Sequence, residues 1–118
     1  MGALNVYMVG AEGFPLGSEQ DALDLIGETY GQEIDLIAVP ASRLHKDFLA
    51  LRTGMAGAFL QKMQNYGLRF AIVGDISDAV TGSKALHDFV YESNKVGRML
   101  FTADMNELAA RLGAITKA

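Results

Sequence analysis

Residues 51–75 read LRTGMAGAFLQKMQNYGLRFAIVGD, and this stretch decides the fold class. Met55, Phe59, Met63 and Tyr66 recur every three or four positions, and Phe48 and Leu51 extend the spacing upstream. That period is one apolar stripe of a helix. Tyr66-Gly67 is the stop signal, and Phe70-Ala71-Ile72-Val73 then runs without a polar residue up to Gly74-Asp75. A strand covered on both faces reads this way, whereas a half-wet strand alternates. A helix feeding a buried strand is the repeating unit of an α/β sheet. Gly54 and Gly57 each weaken the first half of the helix by about 1 kcal/mol against alanine, so a break is expected between Leu51 and Gly54.

The same grammar extends outward. Residues 5–9 form a β-prone run ended by Gly10, and the segment from Glu12 to Gly17 is a loop because two glycines and a proline interrupt it. Ser18 and Asp21 have capping-box spacing, and Ala22, Leu25, Ile26 and Thr29 follow on one helical face with Gly31 suited to the stop. Leu36-Ile37-Ala38-Val39 is a second continuous apolar run, closed by Pro40. After Asp75, residues 76–82 are expected to be a loop, and Ser83 is the cap of a helix with Leu86, Phe89, Val90 and Ser93 inside. Gly97 precedes the strand Met99-Leu100-Phe101-Thr102, and Asp104 with Glu107 starts a last helix that Gly113 ends.

The expectation is one α/β domain over residues 1–118, with order β-α-β-α-β-α-β-α and a four-stranded, mainly parallel sheet. Strands are expected near 5–9, 35–39, 69–74 and 98–103, and helices near 18–30, 54–66, 83–95 and 105–112. The expected core comprises Ile37, Val39, Phe59, Ala71, Ile72, Val73, Phe89, Leu100 and Leu108. The first strand lacks an obvious partner, which makes a homodimer through residues 5–9 an expectation.

Composition narrows the function. At 118 residues the chain buries about two-thirds of its unfolded surface. Ten basic side chains against fourteen acidic ones give a net charge of −4, and the basic residues are scattered. A phosphate-tracking protein has a basic stripe instead, so nucleic acid is not an expected partner. The absence of cysteine excludes disulfides, Cys-ligated zinc and thiol catalysis. The apolar runs are far below the roughly 18 residues of a membrane helix, and the N-terminus lacks a signal-peptide pattern. The cytoplasm is the expected compartment, with no membrane partner.

Several runs carry a resemblance: Asp21-Ala22-Leu23-Asp24-Leu25-Ile26, Arg52-Thr53-Gly54-Met55-Ala56-Gly57, Ala71-Ile72-Val73-Gly74-Asp75-Ile76-Ser77 and Asp88-Phe89-Val90-Tyr91-Glu92-Ser93-Asn94. Over residues 13–112 the chain looks like an uncharacterised bacterial family, a domain of unknown function. More distantly, Thr53-Gly54-Met55-Ala56 before a strand, helix, strand and helix is similar to the STAS domains, which include anti-sigma-factor antagonists. That resemblance implies a STAS-like fold and a regulatory, protein-binding role, with Thr53 at the position of the family's phosphorylated serine. The chain departs from the pattern by placing the bulky Arg52 before Thr53 and by shortening the N-terminal strand pair to one strand. STAS-like proteins have also been discussed as binders of apolar ligands, so the resemblance leaves room for a pocket.

The candidate residues each have a plain and a functional reading. Thr53 with Gly54 is a helix cap, or an anion site at a helix N-terminus with Arg52 as a bidentate partner. Asp75 with Ser77 is a strand-ending turn, or part of a ligand site at the carboxyl edge, where open α/β sheets bind. Arg43 completes the polar set Arg43, Arg52, Asp75 and Ser77. Asp88 and Glu92 read as a solvated helix face, with a partner surface as the alternative. His45 and His87 show neither ligand spacing nor a neighbouring nucleophile motif, and no metal or cofactor is expected. Two function classes follow: a non-enzymatic regulatory or interaction module of STAS-like type, and a small-molecule, lipid or anion binder, including an enzyme, with its pocket at the strand ends.

Overall fold

The computed structural model describes residues 4–113 and the backbone of 115–117. In chain order the elements are β1 (Leu4–Met8), α1 (Glu19–Thr29), β2 (Leu36–Pro40), α2 (Met55–Asn65), β3 (Arg69–Val73), α3 (Ser77–Thr81), α4 (Lys84–Val96), β4 (Met99–Thr102), α5 (Met105–Leu112) and β5 (Ile115–Lys117). The four expected strands and four expected helices are all present. They form an all-parallel sheet that β5 extends at one side, in the order β4-β3-β2-β1-β5.

The caps expected at Ser18, Ser83 and Asp104 form, whereas α2 starts at Gly54 without a side-chain cap from Thr53. Ser18 Oγ accepts from Asp21 N at 3.0 Å, and Asp21 Oδ2 accepts from Ser18 N at 3.0 Å and Gly17 N at 2.9 Å. Burial alone raises the Asp21 carboxyl's pKa, but the Ser18 and Gly17 N–H groups, the Ser18 hydroxyl and His45 outweigh it and hold the group below its ordinary value. Ser83 Oγ accepts from Leu86 N at 3.2 Å, and Asp104 Oδ1 from Glu107 N at 2.8 Å.

The chain breaks where expected, between Leu51 and Gly54, so the apolar spacing from Phe48 to Tyr66 is not one helix. A 3₁₀ turn, Leu51–Thr53, precedes α2, and Gly54 at φ +77° takes the left-handed turn between them. Phe48 is fully buried from within the preceding loop, whereas Tyr66 is the C-cap of α2 and 59% exposed. Residues 76–82 differ from the expected loop. Five of them form α3, started by Asp75 Oδ1 accepting from Ser77 N at 2.9 Å, and no glycine or proline intervenes before Gly82.

The two faces of the sheet are covered unequally. Ile37, Val39, Phe70, Ile72, Met99 and Phe101 pack under α1, α2 and α4. Val6, Leu36, Ala38, Ala71 and Leu100 face the other way, where α5 lays down Leu108, Met105 and Leu112. Seven of the nine expected core residues are buried. Val73 and Phe89 are half-buried, since Val73 ends β3 at the open carboxyl edge and Phe89 lies on α4 over the outer strand.

β1 pairs with β2 on one side and β5 on the other, so residues 5–9 are not a free edge. The basis for a dimer through that strand is gone. At β4, the outermost strand on the opposite side, Asn94 lies against the outer edge. Its Nδ2 donates to Phe101 O at 3.2 Å, and its Oδ1 accepts from Phe101 N at 2.7 Å. The amide thus takes the place of a neighbouring strand. Asn94→Ala is expected to cost about 1–2 kcal/mol by leaving two backbone groups unpaired, and to open an edge for association. Chemical denaturation with light scattering checks both; an unchanged midpoint and an unchanged scattering mass would count against this role.

Candidate functional site

The chain leaves β1, β2 and β3 toward the face carrying α1, α2 and α4, and leaves β4 toward α5 on the other face. The carboxyl ends of β3 and β4 are therefore a topological switch point, where open α/β sheets form crevices. A crevice of about 160 Å³ lies there, between Gly74-Asp75-Ile76 and Phe101-Thr102-Ala103. The same Gly74-Asp75-Ile76 segment also walls a larger cavity of about 570 Å³ over the ends of β2 and β3. Pro40, Ala41 and Ser42 form its opposite side, with Leu49 and the start of α3 closing it.

Gly74 makes this approach. It has φ +146°, and a Cβ there would come within 2.8 Å of Ala41 Cβ. Its N–H donates to Thr102 O at 2.8 Å, so the chain is still in the sheet as it turns. Asp75 and Asp78 are the charged residues of the cavity, and Ser42 and Ser77 supply hydroxyls. The Ser77 hydroxyl and the Ser77 N–H hold the Asp75 carboxyl below its ordinary pKa. The remaining lining is largely apolar.

Of the candidates from sequence, Asp75 and Ser77 lie together in the cavity wall, while Arg43, Arg52, Thr53 and Gly54 are not among its lining residues. Arg43 is engaged elsewhere: its guanidinium donates to Gly10 O at 2.8 Å, Glu12 O at 3.0 Å and Phe14 O at 3.1 Å. It clamps the loop after β1, stacked against Gly13, where a Cβ would meet Arg43 Cζ at 2.7 Å. Arg52 is exposed and makes no ion pair among the described residues. The Thr53 hydroxyl lies 2.8 Å from Ala50 O and 3.0 Å from Asp47 O, to which it donates, and accepts from Met55 N at 3.3 Å.

Ser42, Leu49 and Asp78 line the cavity but were not among the candidates from sequence. Ser42 and Asp78 each stand within five residues of a strand end, which is the one local signal they carry. Among the described residues no three His, Asp or Glu side chains are grouped to hold a metal ion, and no helix is long and apolar enough to cross a membrane.

A family model described as a domain of unknown function, DUF4180, matches residues 2–112. The chain belongs to the DUF4180 family. No curated protein and no solved structure matches it. Within this DUF4180 chain the matched span includes every element from β1 to α5, and hence both walls of the cavity.

Proposed function

We propose that this DUF4180 domain is a non-enzymatic binding module that takes a small organic ligand at the carboxyl edge of its sheet. The observation that carries the reading is the cavity of about 570 Å³ over β2 and β3, within the size range of small-molecule sites. Its lining fits a ligand with an apolar body and hydroxyl or amine groups, because its charges are carboxylates and no arginine or lysine lines it. Phosphates, nucleotides and fatty acids meet repulsion there. No histidine lines it to activate Ser42 or Ser77, which favours binding over catalysis.

The test is a thermal-shift titration with small amines, polyols, nucleotides, inorganic phosphate and fatty acids. A ligand at a hundred times its Kd stabilises the native state by about 2.7 kcal/mol. Ala79→Trp, which fills the cavity from α3, should abolish the shift. Stabilisation by anions alone, or an unchanged shift in Ala79→Trp, overturns the reading.

A second reading, the STAS-type interaction module, is favoured by the adjacent exposure of Arg52 and Thr53. It takes Thr53 as an accessible switch, with phosphate paired to Arg52. The hydrogen bonds of Thr53 to Asp47 O, Ala50 O and Met55 N support the structural alternative, in which its hydroxyl ties the turn before α2 although Gly54 is the N-cap. Under it Thr53→Ala loses about 1 kcal/mol and Thr53→Glu loses at least as much. Equilibrium denaturation of both variants separates the readings: a Thr53→Glu protein as stable as the parent supports the switch.

A further inference from the structure

The amino edge of the sheet, opposite the cavity, carries a second cleft of about 260 Å³. Its base is apolar, from Ile26 and Leu68, both buried, and the half-buried Ile34. Two tyrosines stand at its sides: Tyr30, 89% exposed, and Tyr66, 59% exposed. Each is the C-cap residue of an eleven-residue helix, Tyr30 of α1 and Tyr66 of α2. Glu33 and the buried Thr29, whose hydroxyl donates to Ile26 O, complete the lining. The Glu33 backbone is held at φ +54° with its carbonyl accepting from Asn5 Nδ2 at 3.1 Å, and its carboxylate has no ion pair among the described residues.

Every fixed charge of this cleft has one sign. Two helix C-termini converge on it, each carrying a partial negative charge. The last turn of α1 has no basic residue to offset this, and Lys62 in the last turn of α2 reaches instead toward Glu19, at 3.9 Å. With the Glu33 carboxylate, these features select a cation. Tyrosine faces and an apolar base then select which cation. A hard metal ion wants six or more oxygens, and a bare ammonium holds its water tightly. A methylated ammonium is weakly hydrated, presents apolar methyl groups to Ile26 and Leu68, and is drawn to aromatic faces.

We infer that the amino-edge cleft formed by Tyr30, Tyr66 and Glu33 binds a quaternary or methylated ammonium group. The site is separate from the carboxyl-edge cavity and stands without it. Its ligand is a free small amine or a methylated lysine side chain, since both present the same group.

The experiment is an NMR titration of the whole chain with choline, with its uncharged isostere 3,3-dimethylbutan-1-ol, and with a trimethyllysine peptide. Saturable shifts are expected at residues 26–34 and 64–68, with the isostere about tenfold weaker or more, the equivalent of about 1.4 kcal/mol. Both tyrosines are exposed, so truncating them leaves the fold intact. Tyr66→Phe should bind within about twofold of the parent, and Tyr66→Ala and Glu33→Gln about five- to tenfold more weakly. Tighter binding by choline or by the peptide supports the site and names its source. Equal affinity for the isostere, unaltered binding by Tyr66→Ala, shifts confined to residues 73–79, or no saturable shift with either cation overturns the inference.

Discussion

Phe59→Ala is expected to lower the stability of the domain by about 3–5 kcal/mol, read as a lower denaturant midpoint at an unchanged slope. Phe59 is fully buried, and it joins three parts of the chain that local forces do not connect. Its ring meets Phe48 edge-on at 5.5 Å and lies 4.9 Å from Phe70. Phe48 comes from the loop before α2, Phe59 from α2 and Phe70 from β3. Truncation removes the ring's transfer free energy and leaves a void that β2, β3 and α2 cannot close without losing sheet pairing. Phe48→Ala in the same chain should couple to it, the double variant losing less than the two single losses together. A loss under about 1.5 kcal/mol for Phe59→Ala, within the range of tolerated volume-conserving core changes, would show that the cluster does not hold α2 on the sheet.

Gly74→Ala is expected to cost about 2–4 kcal/mol, and for two separable reasons. The backbone at φ +146° is a conformation side chains rarely adopt, and the new Cβ would come within 2.8 Å of Ala41 Cβ. Ala41→Gly removes the second cause and leaves the first. The double variant should therefore recover part of the loss. Full recovery would mean that the backbone is not strained by a side chain, and no recovery would mean that Ala41 does not crowd position 74 as described. Because Gly74 walls both the cavity and the crevice, its alanine variant should also weaken any ligand that binds at the carboxyl edge.

What was legible in the sequence was what depends on near neighbours along the chain. The caps at Ser18, Ser83 and Asp104 join groups three residues apart, so their spacing shows in the sequence. The buried strands β2 and β3 show as unbroken apolar runs, and α1 as the face of Ala22, Leu25, Ile26 and Thr29, all buried. Half of the candidate site, Asp75 and Ser77, was legible because a strand that stops on a polar turn marks the carboxyl edge. Arg43 was misplaced because its carbonyl partners lie about thirty residues upstream, and an arginine's side chain has the same identity whether it meets a ligand or a loop.

The sequence by itself determined the class of fold, the identity of the elements and most of their ends, since helix period, strand runs and caps are short-range properties of side chains. Only the tertiary structure decided the strand order β4-β3-β2-β1-β5, with β5 beside β1. Backbone hydrogen bonds between strands are nearly independent of side chain, so pairing across dozens of residues leaves little local trace. That order sends α5 alone to the second face and sets the switch point at the ends of β3 and β4. It also gives β1 two neighbours instead of an open edge, while Asn94 covers the outer edge of β4 through a contact seven residues away in sequence. The cavity, the crevice and the tyrosine cleft exist because chain ends far apart in sequence arrive at the same edge of one sheet, and no window of sequence contains both walls.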